Sequence, residues 1–290
     1  MTVEVRHLRG FLAIADERNL TRAAALLHLS QPALSRTLAQ LERDLGVQLV
    51  DRSTHHLHLT DAGVRFERSA RTAVQAFDDA IAGAAGRPAP LRIGQNWSAT
   101  AYLSPILRAW RTAHPDRPVD VVRVEDRTAG LADGSVDVAL TRGPLPDDGY
   151  RCVVIDHETR VAVLPAEHPL AQRDALRLDD LADDALVLAT RAGTTTAELW
   201  PATHRPRVVA DVSSIDDWMV AIASGLGFGV SVSSTAALHP HPDIRYVPLS
   251  DATPVPLLVA WPRRGAHPSV AEFVRIAREV GAGRTAAVSD

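Results

Sequence analysis

Residues 19–61 read NLTRAAALLHLSQPALSRTLAQLERDLGVQLVDRSTHHLHLTD, and they decide the fold of the N-terminal part of the chain. Within this stretch, Ser30 can cap a helix, Pro32 is tolerated in a first turn, and Gly46 allows a left-handed end. The pattern therefore predicts a helix over residues 31–45. Its apolar residues form one narrow stripe for a core, and they are Leu34, Leu38, Leu41 and Leu45.

The opposite face of this predicted helix is polar, with side chains suited to base edges and phosphate oxygens. These side chains are Gln31, Ser35, Arg36, Gln40 and Arg43. A shorter helix, TRAAALLH, precedes it, with Thr21 as the expected cap, so the two helices and the turn between them predict a helix-turn-helix. Two short alternating runs follow around a polar tip and predict a wing that places Arg52 near the minor groove. Because amphipathic helix pairs are also common in all-helical cores, a purely structural role stays open.

The N-terminal residues resemble those of the LysR-type transcriptional regulators, whose signature runs here from LRGFLAIADERNLTRAAALLHLSQPALSRTLAQLERDLGVQLVDRS to LTDAG. The resemblance implies a bacterial regulator that binds double-stranded DNA. It implies DNA contacts at Gln31, Pro32, Ser35, Arg36 and Arg52, with Thr21 and Arg22 near the DNA backbone. One departure lies at the wing tip, where Thr54, His55 and His56 stand in place of arginines, and histidine is mostly uncharged near pH 7.

Bulk composition limits the function further. A chain of 290 residues with 46% hydrophobic residues can bury more than one core, so we expect two domains. A net charge of -4 means that any DNA contact must come from a local surface. The absence of a signal peptide or long apolar run predicts a cytoplasmic protein without membrane contact. Cys152 lies in an apolar run and is expected to be buried and inert.

A long, thin apolar seam runs through a helix predicted from Ala62 to Ala85. It consists of Phe66, Ala70, Val74, Phe77 and Ile81. Such a seam requires a partner, and we expect a second copy of the same helix. The resemblance also implies dimerisation through this helix, so we expect a homodimer that associates into a homotetramer, with RNA polymerase as a further partner. The alternative is that the seam packs on the protein's own body.

After Leu91 the chain alternates strands and helices, which predicts mainly parallel sheets. The expected fold class is α+β and multidomain: a winged helix-turn-helix at 1–60, a linker helix and hinge at 61–90, and an α/β effector domain at 91–290. By resemblance, the last part has two lobes like a periplasmic binding protein, lobe 1 at about 91–160 and 263–290 and lobe 2 at about 161–262. A short helix is expected around AGLADG, and the tail after Gly281 is expected to be loose.

Polar loops after the predicted strands form the candidate ligand site, because ligands of α/β sheets bind beyond the carboxyl ends of strands. An arginine among hydroxyls and helix N-termini suits a carboxylate, so we expect a small organic anion as effector. The predicted effector-binding residues are Ser98, Thr100, Thr128, Arg142 and Thr194; the resemblance places four of them, all but Thr100, in the family's inducer cleft. The alternatives are that the hydroxyls only cap helices and that Arg142 pairs with a neighbouring acid.

No spacing of histidines, cysteines or acids predicts a metal site, a catalytic group or a cofactor, so we expect none of these. The leading interpretation is a DNA-binding regulator controlled by a ligand. Two rivals remain: an α/β enzyme with a helical N-terminal extension, and a pure solute-binding module. A gel-shift experiment with the DNA that flanks the gene would separate the three.

Overall fold

The computed structural model of the protein describes residues 3–51, 57–84, 89–96, 100–145, 149–191 and 193–288. The chain divides into two compact units. Unit 1 comprises Met1–Ala89 with Ala132–Ser135, and unit 2 comprises Pro90–Leu131 with Val136–Asp290. In the described part of the chain, no helix combines the length and the apolar character that a membrane span needs.

Unit 1 begins with the helices that the sequence predicts. Its elements are α1 (Val5–Glu17), α2 (Leu20–Leu26), α3 (Gln31–Leu45), β1 (Val50–Asp51), β2 (His58–Leu59) and α4 (Asp61–Ala84). In α3 the Ser30 hydroxyl accepts a hydrogen bond from the Ala33 N–H at 3.3 Å, and Gly46 ends the helix at a φ of 69°. The predicted bounds and caps of this helix are therefore confirmed.

The start of α2 differs from the prediction. Asn19, rather than Thr21, caps the helix, because the Asn19 side-chain oxygen accepts hydrogen bonds from the Thr21 and Arg22 N–H groups at 2.9 and 3.0 Å. Asparagine is a stronger cap than threonine, and placing the cap two residues earlier lets one side chain satisfy two free N–H groups at once. Thr21 consequently lies inside the first turn with an exposed side chain.

The leucine stripe of α3 forms the core of unit 1. Leu34, Leu38 and Leu41 are each 0% exposed, and they pack with α1 residues such as Phe11 and Ile14, which are also fully buried. Fully burying a leucine contributes about 1.5–3 kcal/mol, so this stripe dominates the stability of the helix-turn-helix. Its burial leaves the polar side of α3 facing outward.

The apolar seam of α4 is divided between two environments, and this corrects the expectation of one continuous dimer seam. Ala70 is 1% exposed and belongs to the core of unit 1, against which Phe66 and Val74 also pack. This half of the seam covers α1, as the alternative foresaw. Phe77 and Ile81, in contrast, are 43% and 52% exposed.

In its described residues, unit 2 forms a five-stranded, a three-stranded and a two-stranded sheet, together with the helices that cover them. Its first elements are β3 (Leu91–Gln95), α5 (Thr100–Ala113), β4 (Val119–Arg123), β5 (Val138–Arg142), β6 (Tyr150–Glu158), β7 (Arg160–Pro165) and β8 (Ala185–Leu188). The remaining elements are β9 (Arg207–Asp211), α6 (Ile215–Ala223), β10 (Gly229–Val232), α7 (Ser233–Leu238), β11 (Ile244–Pro248), β12 (Val255–Pro262) and α8 (Val270–Val288). Short 3-10 helices also occur at Leu178–Leu181 and Ala197–Leu199.

The first sheet has the strand order β4-β3-β5-β12-β6. Strands β4, β3 and β5 are parallel, and β12 pairs antiparallel with both β5 and β6. The chain therefore returns to the first lobe at Val255 rather than at the predicted residue 263. Helices α5 and α8 cover the sheet with Trp110 and Phe273, whose ring centroids are 5.9 Å apart.

The second lobe is mostly antiparallel, which corrects the prediction of mainly parallel sheets. Strand β7 lies between β10 and β11 and is antiparallel to both. Among the described strands of this lobe, β8 and β9 are the parallel pair, and a parallel bridge between Leu186 and Phe228 connects β8 to the residue before β10. The buried residues around β7 form two apolar clusters, one on each side of the strand.

Three smaller expectations are also wrong. Cys152 is exposed, because its side chain points to the solvent side of the edge strand β6. The AGLADG segment forms turns instead of a short helix. The tail after Gly281 continues α8 as far as Val288.

Candidate functional site

The outward face of α3 is the first candidate site. Gln31, Pro32 and Arg36 are exposed, and Ser35 is half-buried at the base of the same face. Because the helix hides its leucines behind this face, the polar side chains project as a group from a rigid element. A face of this kind fits the major groove, where arginine and glutamine read base edges.

The arginines near this face differ in their engagement. Arg43 donates a hydrogen bond from Nη2 to the side-chain oxygen of Gln40 at 2.7 Å, and Arg22 donates from Nε to the carboxylate of Glu17 at 2.8 Å. Arg36 makes no hydrogen bond or ion pair with any residue that the structure describes. Its guanidinium is therefore available to an external acceptor.

A contact between α3 and the wing was not apparent from the sequence. One carboxylate oxygen of Glu42 accepts hydrogen bonds from the Leu49 and Val50 N–H groups at 2.9 and 3.1 Å. Strands β1 and β2 then pair through Val50 with Leu59. The predicted Arg52 and the wing tip with Thr54, His55 and His56 lie outside the described residues.

The second candidate site is a cavity in unit 2, at the end of β5 and against the second lobe. The space that a water-sized molecule can occupy in it is about 30 Å³, room for about two waters at about 10–15 Å³ each, so an organic ligand would have to widen it. The cavity is lined by Arg142, Val187, Leu188, Ala189, Gly193, Thr194, Thr195, Trp218, Val230, Ser231 and Val232. These residues come from both lobes, and most of the lining is apolar.

The structure brings only part of the predicted effector set into this cavity. Arg142 and Thr194 line it. Thr128 is not among the lining residues, because its hydroxyl turns inward and donates a hydrogen bond to the Asp126 carboxylate at 2.7 Å. Ser98 lies outside the described residues, and Thr100 begins α5 with a side chain that is not described.

Arg142 pairs with an acid, which is the alternative left open by the sequence. Its Nε donates to the Glu158 carboxylate at 2.7 Å, and both side chains are only 2% exposed. Its Nη2 also donates to the Ser234 hydroxyl at 3.2 Å. Burial lowers the pKa of Arg142, while the neighbouring Glu158 acts in the opposite direction. The pair is thus close to neutral.

A second buried arginine adjoins the cavity, and no sequence pattern indicated its role. Arg160 opens β7 directly after the chain crosses from the first lobe, and it is 8% exposed. Its Nη1 donates to the Thr195 hydroxyl at 3.0 Å and its Nη2 to the Thr194 carbonyl at 3.3 Å. Both threonines line the cavity. In RVAVLP, the arginine looks like the polar end of an ordinary strand.

In the described part of the chain, no group of three or more histidines, cysteines or acids is arranged to hold a metal ion. The neighbouring carboxylates of Asp179 and Asp183 contact His204 at the surface, at 2.7 and 3.4 Å.

Two family descriptions match the chain. "Bacterial regulatory helix-turn-helix protein, lysR family" matches residues 5–64 and "LysR substrate binding domain" matches residues 84–282. The chain is 30% identical, over 95% of its own length and 98% of the relative's, to "Uncharacterized HTH-type transcriptional regulator YnfL" of Escherichia coli (strain K12).

Solved structures of related proteins share the whole fold. The LysR family transcriptional regulator CbnR matches with a TM-score of 0.70 and 26% identity, covering 96% of this chain and 99% of that chain. Full-length CbnR complexed with target DNA matches with a TM-score of 0.67 and 27% identity, covering 96% and 100% of the two chains. Since the matched family descriptions cover both the helix-turn-helix and the cavity-bearing region, the chain belongs to the LysR family of DNA-binding transcriptional regulators.

Proposed function

We propose that this regulator reads its operator with the outward face of α3 and that a small organic anion in the cavity of unit 2 controls its action. The observation that carries the DNA-reading part is the exposed Arg36, which stands without an internal partner among the described residues on a helix whose leucines are fully buried. The protein acts by binding, without turnover of the ligand, in the bacterial cytoplasm.

In this proposal, side chains of α3 contact the bases, and side chains of α2 and the wing contact the DNA backbone and the minor groove. Gln31, Ser35 and Arg36 contact base edges, and Pro32 packs against the DNA at the leading end of the helix. Thr21 and Arg22 contact the phosphate backbone, and Arg52 enters the minor groove from the wing. Arg22 exchanges part of its bond to Glu17 for a phosphate, which costs little because exposed ion pairs contribute about 0–1 kcal/mol.

Two copies of the chain bind together. The supporting feature is the exposed end of α4, where Phe77 and Ile81 are 43% and 52% exposed and lie four residues apart on one side of the helix. Burying such a patch against its own copy gives a two-fold dimer with paired reading helices. Further association into a homotetramer and contact with RNA polymerase belong to the same proposal.

The anionic nature of the effector is supported by the polar groups at the cavity. Thr194, Thr195 and Ser231 line it, and two arginine side chains lie in or directly beside it. A carboxylate takes hydrogen bonds from hydroxyl and backbone N–H groups and gains from nearby positive charge. The apolar remainder of the lining suits the body of an organic molecule.

The DNA-reading part is tested by fluorescence anisotropy with the duplex that flanks the gene and with a scrambled duplex. Arg36→Ala is expected to weaken specific binding by about 1–3 kcal/mol, or about 5- to 150-fold, if the guanidinium reads a base. If it contacts a phosphate, the slope of log K against log salt falls by about 1 instead. The matched control is Arg6→Ala, because Arg6 is exposed on α1, away from the α3 face.

Two results would contradict the proposal. One is an unchanged affinity and an unchanged salt slope for Arg36→Ala. The other is an equal loss for Arg6→Ala, because it would assign the effect to overall charge rather than to the α3 face.

A further inference from the structure

The charges around the cavity do not balance. Among the described lining residues only Arg142 is charged, and Glu158 neutralises it at 2.7 Å. Arg160, one hydrogen bond behind the lining, forms no ion pair with any carboxylate of the described residues. Among these three groups, Arg142, Glu158 and Arg160, the one positive charge without an opposite partner belongs to Arg160.

The described acceptors of the Arg160 guanidinium are all neutral. Besides its bonds to Thr195 and Thr194, its Nε donates to the Thr253 carbonyl at 3.1 Å. The Thr195 hydroxyl donates a hydrogen bond to the Val230 carbonyl at 3.1 Å. These oxygens satisfy N–H groups but supply no counter-charge, and a buried charge without a partner is costly. Burial accordingly lowers the pKa of Arg160, yet an arginine stays protonated at neutral pH.

We infer that Arg160 is the residue that makes the cavity select an anion, and that it does so by supplying uncompensated positive charge behind the Thr194–Thr195 wall. This inference rests on the proposed function and identifies the residue responsible for its specificity. Arg142 has the more obvious position in the cavity, but its charge is already used by Glu158.

Arg160 also positions the wall through which its charge acts. The planar guanidinium holds two residues of the loop and, at the same time, Thr253 in the second crossing between the lobes. A lysine keeps the charge but has no rigid fork for three acceptors. Charge and positioning can therefore be separated by substitution.

The experiment uses the full-length protein and three pairs of probes: acetate and acetamide, succinate and succinamide, and benzoate and benzamide. Thermal shift identifies probes that stabilise the protein, and calorimetry gives Kd for them. The wild type is expected to bind at least one carboxylate in preference to its amide. Arg160→Gln is expected to weaken carboxylate binding about tenfold or more and to weaken amide binding much less, so that the carboxylate preference is lost.

Two further variants keep the test decisive if Arg160→Gln does not fold. Arg160→Lys is expected to retain a preference for the carboxylate, with weaker binding. Thr195→Val removes one partner of the guanidinium without changing charge, and it is expected to retain the preference as well. A purely structural role of Arg160 would instead make both variants lose carboxylate and amide binding alike.

The outcomes separate the two proposals. If Arg160→Gln keeps the carboxylate preference, or if a folded Arg160→Lys loses it, the role of Arg160 is overturned while an anionic effector stands. If the wild type binds each amide as well as its carboxylate, the anionic effector itself is overturned. If no probe stabilises the wild type, both proposals are overturned.

Discussion

Arg142→Met should destabilise unit 2 strongly, because it leaves the buried carboxylate of Glu158 without its ion-pair partner. Arg142 and Glu158 are each 2% exposed, and Oε1 of Glu158 already has no hydrogen-bond partner among the described residues. Removing Arg142 also takes away the donor to Oε2 and the donor to the Ser234 hydroxyl. Breaking a buried pair by removing one partner costs about 3–5 kcal/mol, and we expect a loss in this range.

Replacing both partners should cost far less. In Arg142→Met/Glu158→Met, two apolar side chains of similar length occupy the space, and no buried charge is left over. Such double replacements are often neutral or stabilising. The two single variants together should therefore lose at least about 3 kcal/mol more free energy of unfolding than the double variant loses. This is a large coupling energy for one pair.

Urea unfolding followed by tryptophan fluorescence measures these differences specifically in unit 2. All five tryptophans of the chain belong to that unit, at positions 97, 110, 200, 218 and 261. The free energy of unfolding follows from linear extrapolation with a common slope. A loss below about 1 kcal/mol for Arg142→Met, or a double variant as unstable as either single one, would refute the desolvated pair.

Three further predictions concern other parts of the chain. Leu38→Ala should destabilise unit 1 by about 2–5 kcal/mol, because Leu38 is 0% exposed; hydrogen exchange of α3 measures it, and unchanged protection would contradict it. Gly63→Ala places a Cβ about 2.1 Å from the Leu49 carbonyl oxygen, so the start of α4 must shift and the NMR resonances of β1 should move; an unperturbed spectrum would refute the close approach. Hydrogen bonds to Asp179 and Asp183 raise the pKa of His204 above 6.5. Because this pKa is higher in the folded than in the unfolded protein, protonated His204 stabilises the fold fully below pH 6.5. This stabilisation is lost as the pH rises through the pKa of the folded state. His204→Ala should therefore lower Tm at pH 5.5 and not at pH about 9, and a Tm difference independent of pH would contradict this.

The sequence predicted unit 1 well because its determinants are local. The ends of α3 were correct to the residue, since its cap, its leucine spacing and Gly46 all lie within one helix length. The cap of α2 was misplaced because Asn19 and Thr21 are both good caps, and only the backbone geometry decides between them. The α4 seam has one periodicity but two environments, so its pattern could not say where the core ends.

Unit 2 was harder to predict because its pairings are not local. Val255 of β12 pairs with Glu158 of β6, and Leu257 pairs with Arg142 of β5, so the partners lie far apart in the chain. An apolar run such as VPLLVAWP does not specify such distant partners. The exposure of Cys152 depends on which face of the edge strand β6 is covered. The partner of Arg142 could not be chosen either, since Glu158 was one of several acids within reach of the loops.

The free energy of one charge-assisted hydrogen bond limits how far an anionic effector could shift the protein between two arrangements. The chain crosses between the sheets at Thr159 and again between Leu249 and Val255, and Arg160 bonds to the second crossing and to the cavity wall. A ligand changes the balance of two arrangements only by its difference in affinity for them, and a shift from 1:99 to 99:1 needs about 5.5 kcal/mol. A charge-assisted hydrogen bond contributes about 1.5–3 kcal/mol. The remaining 2.5–4 kcal/mol corresponds to about 100–160 Å² of apolar surface at about 25 cal/mol per Å². Val187, Trp218 and Val230 line the cavity but are only 1%, 3% and 6% exposed, so most of this apolar area must belong to the ligand itself, and an anion without an apolar body would leave most of the switch undone.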